Sequence, residues 1–191
     1  MKVSTWSAVI LLCIASPTLW ACQSGGNIVP NCTFTGNADN WQEETGSCDH
    51  SATLGVGGTQ GNYSCTSFAG MFNHIVRFKR CLPQNLGVVG GRPYSYSAFA
   101  QLSSGSAVNC TIEFADFTSD NCMFNVNAET TPLVLGTPPN FSASVPDTYQ
   151  AAAGTVSISV RVECLAAASF GVRVDNVFVG VEDAIFKHGF E

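Results

Sequence analysis

The feature that most constrains this chain is a two-residue apolar period that recurs in short runs, each broken by Gly, Pro, Asn or Ser. In GTVSISVRVEC, Val156, Ile158, Val160 and Val162 alternate with Ser157, Ser159, Arg161 and Glu163. In RPYSYSAFAQ, Tyr94, Tyr96, Ala98 and Ala100 alternate with Ser95, Ser97, Phe99 and Gln101. Successive side chains of an extended strand point to opposite sides, so each run has an apolar face and a polar one. MFNHIVRFKRCL repeats the pattern, with Phe72, His74, Val76, Phe78, Arg80 and Leu82 on one side. VNCTIEFADFTSDNCMFNV reads as a hairpin over a TSDN turn, with Val108, Cys110, Ile112 and Phe114 inward. NIVPNCTF, Asn27 to Phe34, reads as a short opening strand, and FGVRVDNVFVGVE, Phe170 to Glu182, closes the sheet. No segment carries a long 3.6-residue period, and the stretch holding Pro132, Pro138, Pro139 and Pro146 is too proline-rich for a central strand. Strands of roughly five to eight residues between turn signals predict an all-β antiparallel β-sandwich.

One run breaks its own rule. In FGVRVDNVFVGVE, Phe170, Val172 and Val174 fall on even positions, whereas Val177, Val179 and Val181 fall on odd ones. An extra residue at Asp175-Asn176 would flip the parity without ending the strand, so a β-bulge is expected there.

Met1 to Ala21 has the layout of a secretory signal peptide: Lys2, the apolar run AVILLCIA and a small residue at Ala21. The expected organisation is a leader at 1–21, one sandwich domain at 22–182 and a flexible tail at 183–191, DAIFKHGFE. Export places the protein outside the cell or in the cell envelope, where disulfides persist. Eight cysteines follow the leader, and there is no CxxC pair, so disulfides rather than zinc are expected. The hairpin geometry predicts a bridge between Cys110 and Cys122. LWAC, Leu19 to Cys22, is similar to a lipoprotein cleavage box with a bulky Trp20; ordinary cleavage near Ala21 is the favoured reading, and membrane attachment follows only if Cys22 is lipidated. Asn-x-Ser/Thr sequons begin at Asn31, Asn62, Asn109 and Asn140.

Beyond the leader, seven basic residues face fourteen acidic ones, a net charge of −7 (7 − 14). That balance disfavours nucleic acid and anionic membrane as partners. Only 12% of residues are charged, so Ser, Thr, Asn, Gln and Gly must cover much of the surface, which suits neutral, hydroxyl-rich ligands.

The order of elements resembles the carbohydrate-binding modules of the cellulase-type family 4/9 and their relatives with a galactose-binding-like jelly roll. The resemblance rests on NIVPNCTFTGNADNW at the start, RFKRCLPQNLGVVGGRPYSYSAFAQ in the middle and VDNVFV at the close, and it spans Asn27 to about Glu182. It implies a jelly roll that binds a polysaccharide or other glycan without catalysis. It also implies a structural calcium ion. Thr35 stands where the family has Glu, and Asn176 replaces the second Asp of the closing pair, which leaves Asp175 as the one candidate calcium ligand.

Sugar binding needs an aromatic face and planar polar groups for the hydroxyls. The outward strand positions offer Phe99, Gln101, Arg77, Glu113, Arg161 and Arg173, and Trp41 follows the first turn. The candidate ligand-binding set is therefore Trp41, Arg77, Phe99, Gln101, Glu113 and Arg161, convergent only if their strands share one sheet. Glycoside hydrolysis would need two carboxylates facing one cleft. Glu113, Asp116, Asp120 and Glu163 are available, but acidic residues at alternating positions fit a solvated face, and no GxSxG or phosphate-loop lysine is present. An enzyme is not expected. The alternative to glycan binding is a structural or adhesive surface protein with no sugar ligand.

Overall fold

The computed structural model describes residues 26–56, 61–70 and 72–181. The leader, Cys22 and the tail lie outside the described residues. Among the described residues there are twelve strands: β1 (Trp41–Thr45), β2 (Ser47–Ser51), β3 (Asn62–Thr66), β4 (Phe68–Ala69), β5 (His74–Pro83), β6 (Pro93–Ser104), β7 (Asn109–Phe117), β8 (Asn125–Leu133), β9 (Ser142–Ala143), β10 (Asp147–Gln150), β11 (Ser157–Ala166) and β12 (Gly171–Val181). They form two antiparallel sheets. The front sheet runs β1-β5-β11-β7-β8, with β4 also on β5; the back sheet runs β10-β6-β12-β3-β2, with β9 also on β6. The result is a jelly-roll sandwich.

The two-residue period is realised as expected. Val76, Phe78 and Leu82 of β5, Ile112 and Phe114 of β7, and Ile158, Val160 and Val162 of β11 are buried against Tyr94, Tyr96, Ala98, Ala100, Val172, Val174, Val177 and Val179 of the back sheet. Aromatic rings fill the space between sheets, with Phe114 in contact with Tyr96 at 5.2 Å and Tyr149 at 4.7 Å. Such burial contributes on the order of 1.5–3 kcal/mol per large side chain.

The bulge in β12 is present. Asp175 pairs with Phe99 and Phe178 with Ser97, so Asn176 and Val177 together oppose Ala98. Asn176 adopts φ 48°, a left-handed conformation that Asn tolerates, and the extra residue turns Val177 and Val179 back into the core.

Two expectations are corrected. Residues 27–34 make no strand: Asn31 and Phe34 have φ 52° and 49°, which end the extended backbone, and the segment is joined to β12 by the bridge Asn27↔Gly180 and by separate hydrogen bonds from Ile28 N–H to the Val179 carbonyl and from Val177 N–H to the Cys32 carbonyl. Cys110 does not pair with Cys122. The β7–β8 hairpin has a longer turn than the sequence suggests, so Cys122 lies in the turn while Cys110 lies at the open end opposite Leu133. The bridges are Cys110–Cys164, Cys81–Cys122 and Cys48–Cys65, and Cys32 is also disulfide-bonded.

Strands β1 to β3 and most of β8 escape the period because they are edge or near-edge segments with few apolar residues. β8 is exposed along most of its length, and Pro132 is tolerated there because an edge strand can spare a ladder N–H. Between β1 of the front sheet and β2 of the back sheet, Gly46 has φ 103°, and a Cβ there would come 3.0 Å from the Thr66 carbonyl. Glycine allows the chain to cross between sheets at that point.

Candidate functional site

The outward face of the front sheet is built from rows of residues on neighbouring strands. Lys79, Arg161, Glu113 and Thr130 form one row across β5, β11, β7 and β8. Arg77, Glu163, Thr111 and Pro132 form the next. An irregularity in β1 between Glu43 and Thr45 brings Glu44 to the same charges. Lys79 Nζ lies 2.7 Å from Glu44 Oε1, Arg161 Nη2 donates to Glu113 Oε2 at 2.6 Å, and Arg161 Nη1 is 3.9 Å from Glu44. Arg77 pairs with Glu163. Three cations and three carboxylates thus form a ladder of zero net charge whose side chains stay partly exposed, from 19% at Glu113 to 33% at Arg77.

Both ends of the ladder are bounded. At one end, Phe68 of β4 lies beside Ile75, and Ile75 beside Leu165, an apolar row ending in a phenyl ring that is 66% exposed. At the other end the turn at 118–124 folds back over the sheet. The Cys81–Cys122 bridge pins it, and the Ser157 hydroxyl accepts from the Cys122 N–H and donates to the Ser119 carbonyl.

The structure therefore divides the residues singled out in the sequence. Arg77, Glu113 and Arg161 come together in the ladder. Phe99 and Gln101 lie on β6, on the far side of the sandwich. Gln101 is fully buried there: its Oε1 accepts from Arg173 at 2.9 Å and its Nε2 donates to the Asn140 carbonyl at 3.1 Å. Trp41 is in the core, its ring 5.3 Å from Phe34 and 5.7 Å from Phe78. Lys79, Glu44 and Phe68 were not singled out. Lys79 shares the parity of Arg77 and could have been found that way, whereas Glu44 and Phe68 carry no comparable local signal.

Glu113 and Glu163 are each tied to an arginine on the front face. Asp116 points to the interior and is spent on structure, accepting from the Asn127 and Ala152 N–H groups and the Thr155 hydroxyl. Of the four sequons, Asn62 is fully buried while Asn109 and Asn140 are exposed.

Asp175 is enclosed on the back face. Its Oδ2 accepts from Val56 N–H and its Oδ1 from Asn176 N–H, both at 2.7 Å. Burial pushes its pKa up to about 7, and these two hydrogen bonds oppose the rise without cancelling it. Calcium takes six to eight oxygen ligands. Both oxygens of Asp175 are already engaged, and no group of three or more His, Cys, Asp or Glu is gathered among the described residues, so the residues present do not fit that ion.

No protein-family profile matches the sequence, and no curated protein matches it. Solved structures do match the fold. The enzymatically active domain of tailspike protein 4 from bacteriophage CBA120 is similar over 81% of this chain, with 13% identity and a TM-score of 0.62; this chain spans only 21% of that one. TmCBM61, solved in complex with β-1,4-galactotriose, is 11% identical with a TM-score of 0.54 over 82% of this chain and 99% of its own. The CBM22-1 xylan-binding domain of Paenibacillus barcinonensis Xyn10C is 14% identical with a TM-score of 0.54, over 82% of this chain and 91% of its own. Structural neighbours of this fold thus include carbohydrate-binding modules of families 22 and 61 as well as an enzymatically active domain.

Proposed function

We propose that this protein is an exported, non-catalytic glycan-binding module whose site is the outward face of the front sheet. The observation that carries the reading is the exposed charge ladder framed by Phe68 at one end and the disulfide-pinned turn at the other. Guanidinium and carboxylate groups offer sugar hydroxyls donors and acceptors in fixed positions, and the Phe68 ring offers a flat apolar surface to the C–H side of a pyranose. Because each charge already has a partner, a hydroxyl competes with an existing ion pair, and binding is weak and reversible. The motifs of NIVPNCTF and VDNVFV support a relationship to the family 4/9 type of module, and the disulfides and the leader pattern support secretion or a place in the cell envelope.

The test is retention of the mature protein on a panel of insoluble polysaccharides, repeated with Arg161→Met and Phe68→Ala. Retention by wild type and its loss in both variants is the expected result. Retention unaffected by either would move the site elsewhere. A second reading, a structural or adhesive surface protein, is favoured by the complete pairing of the ladder and by exposed Phe68 and Phe72, 66% and 86% accessible. Failure to bind any polysaccharide would favour it.

A further inference from the structure

Where β1 begins and β5 ends, a hollow of about 420 Å³ lies against the turn at 118–124. Asn40, Gln42, Asn85, Asp120, Asn121 and Arg80 are among its lining residues. A second hollow of about 530 Å³ lies beside it and shares Asn85 and Asp120 as lining residues. Gln42 is the cross-strand neighbour of Lys79, which joins this region to the ladder.

We infer that this hollow is a recognition subsite for one neutral, hydroxyl-rich sugar unit of a glycan held on the front face. The inference rests on the glycan reading above. Its first support is the lining. Four carboxamides present donors and acceptors together, as hydroxyl groups require. Asn40, Gln42 and Asn85 make no side-chain hydrogen bond among the described residues, and Asn121 makes only a contact with Met123 Sδ at 3.2 Å.

The second support is Arg80. It is 5% exposed, its Nη1 donates to the Asp39 carbonyl, its Nε has no partner, and it forms no ion pair among the described residues. Burial presses its pKa down, and the Asp39 charge opposes this only in part. A buried guanidinium is costly unless polar groups surround it, and Arg80 lies at the wall of the hollow among the four carboxamides. Asp120 supplies the opposite charge at the rim, so the lining carries one charge of each sign beside the carboxamides, which suits a neutral sugar. The wall is also fixed in advance: Asp120 and Asn121 flank the Cys81–Cys122 bridge, so little ordering remains to be done on binding. The volume lies within the range of small-ligand sites.

The experiment is calorimetric titration of the disulfide-intact mature protein with xylohexaose and β-1,4-galactotriose, with xylan, galactan, mannan and polygalacturonate as polymer probes. The variants are Gln42→Ala with Asn121→Ala, Asn85→Ala, and the ladder variant Arg161→Met. Gln42, Asn85 and Asn121 are exposed, so these variants fold. The expected result is binding of a neutral sugar by wild type and about a tenfold loss of affinity in both pocket variants at unchanged melting temperature. Wild-type affinity in the pocket variants, with a loss in Arg161→Met, overturns the subsite and leaves the front-face reading standing. A loss in the pocket variants with none in Arg161→Met supports the subsite and overturns the ladder. Binding of polygalacturonate alone overturns the ligand class, and binding of no probe overturns both readings.

Discussion

The two outward faces of this sandwich start from the same kind of strand and end in opposite conditions. On the front sheet, Arg77, Lys79, Arg161, Glu44, Glu113 and Glu163 remain partly exposed and pair with one another across strands. On the back sheet, Gln101 and Asp175 are fully buried, because other segments lie over them. Residues 136–144 run along β6, with Gly136 bonded to Ala100 and Leu102 and Ser144 to Ala98, and residue 56 reaches Asp175. Under those segments Gln101 and Asp175 are each held by two hydrogen bonds and become part of the scaffold. A polar residue on an open face keeps capacity for a ligand. That difference is why the front sheet is the face proposed for binding.

Mutations can break or sharpen that contrast. The largest effect is expected in the interior between the faces. Trp41→Ala should cost about 3–5 kcal/mol in urea unfolding, as an aromatic packed on Phe34, Tyr63 and Phe78. A small stability loss with abolished glycan retention would instead return Trp41 to the binding site.

On the back face, the buried Asp175 predicts a pH dependence. Its pKa in the folded protein is raised from 3.8 to about 7, so the folded state holds the proton more tightly than the unfolded chain. Stability should therefore fall as pH rises from about 4 to about 7 and level off above, with at most about 4 kcal/mol at stake. Asp175→Asn should flatten that slope, as read from denaturant midpoints across the range. An unchanged slope would show that another group sets it.

Gln101→Ala removes two hydrogen bonds from the buried link between Arg173 and Asn140 and should cost about 2 kcal/mol, with no change in glycan retention. Loss of retention at preserved stability would make the back face a binding surface. The smallest stability effect belongs to the front. Arg161→Met should change unfolding by less than about 1 kcal/mol, since partly exposed pairs contribute little, while weakening polysaccharide retention clearly. Comparable losses of stability on both faces would erase the distinction.

Much of the sandwich was legible from β5, β6, β7, β11 and β12, whose apolar residues face the core in the parity their sequences predict. The bulge was legible as well, because a parity flip at Asp175-Asn176 has few other structural meanings. Strands β1, β2 and β3 were not, since WQEET, SCDHS and NYSCT have little apolar content and owe their conformation to neighbours. Half of the candidate site was visible: Arg77, Glu113 and Arg161 could be placed on outward positions. Phe99 and Gln101 had the same local appearance, yet their strand belongs to the other sheet.

What the sequence by itself determined is which side of each strand is apolar, where β12 gains a residue, and that cysteines would be bridged. These follow from short-range geometry, in which side-chain direction repeats every two residues. Which polar face stays open, which cysteines meet and where a hollow forms were decided only by the tertiary structure. Gln101 is covered by Asn140 from 39 residues away, and Asp175 by Val56 from 119 residues away. Cys110 finds Cys164 across 54 residues. Contacts of that span depend on the packing of whole sheets, and no local pattern in the chain records them.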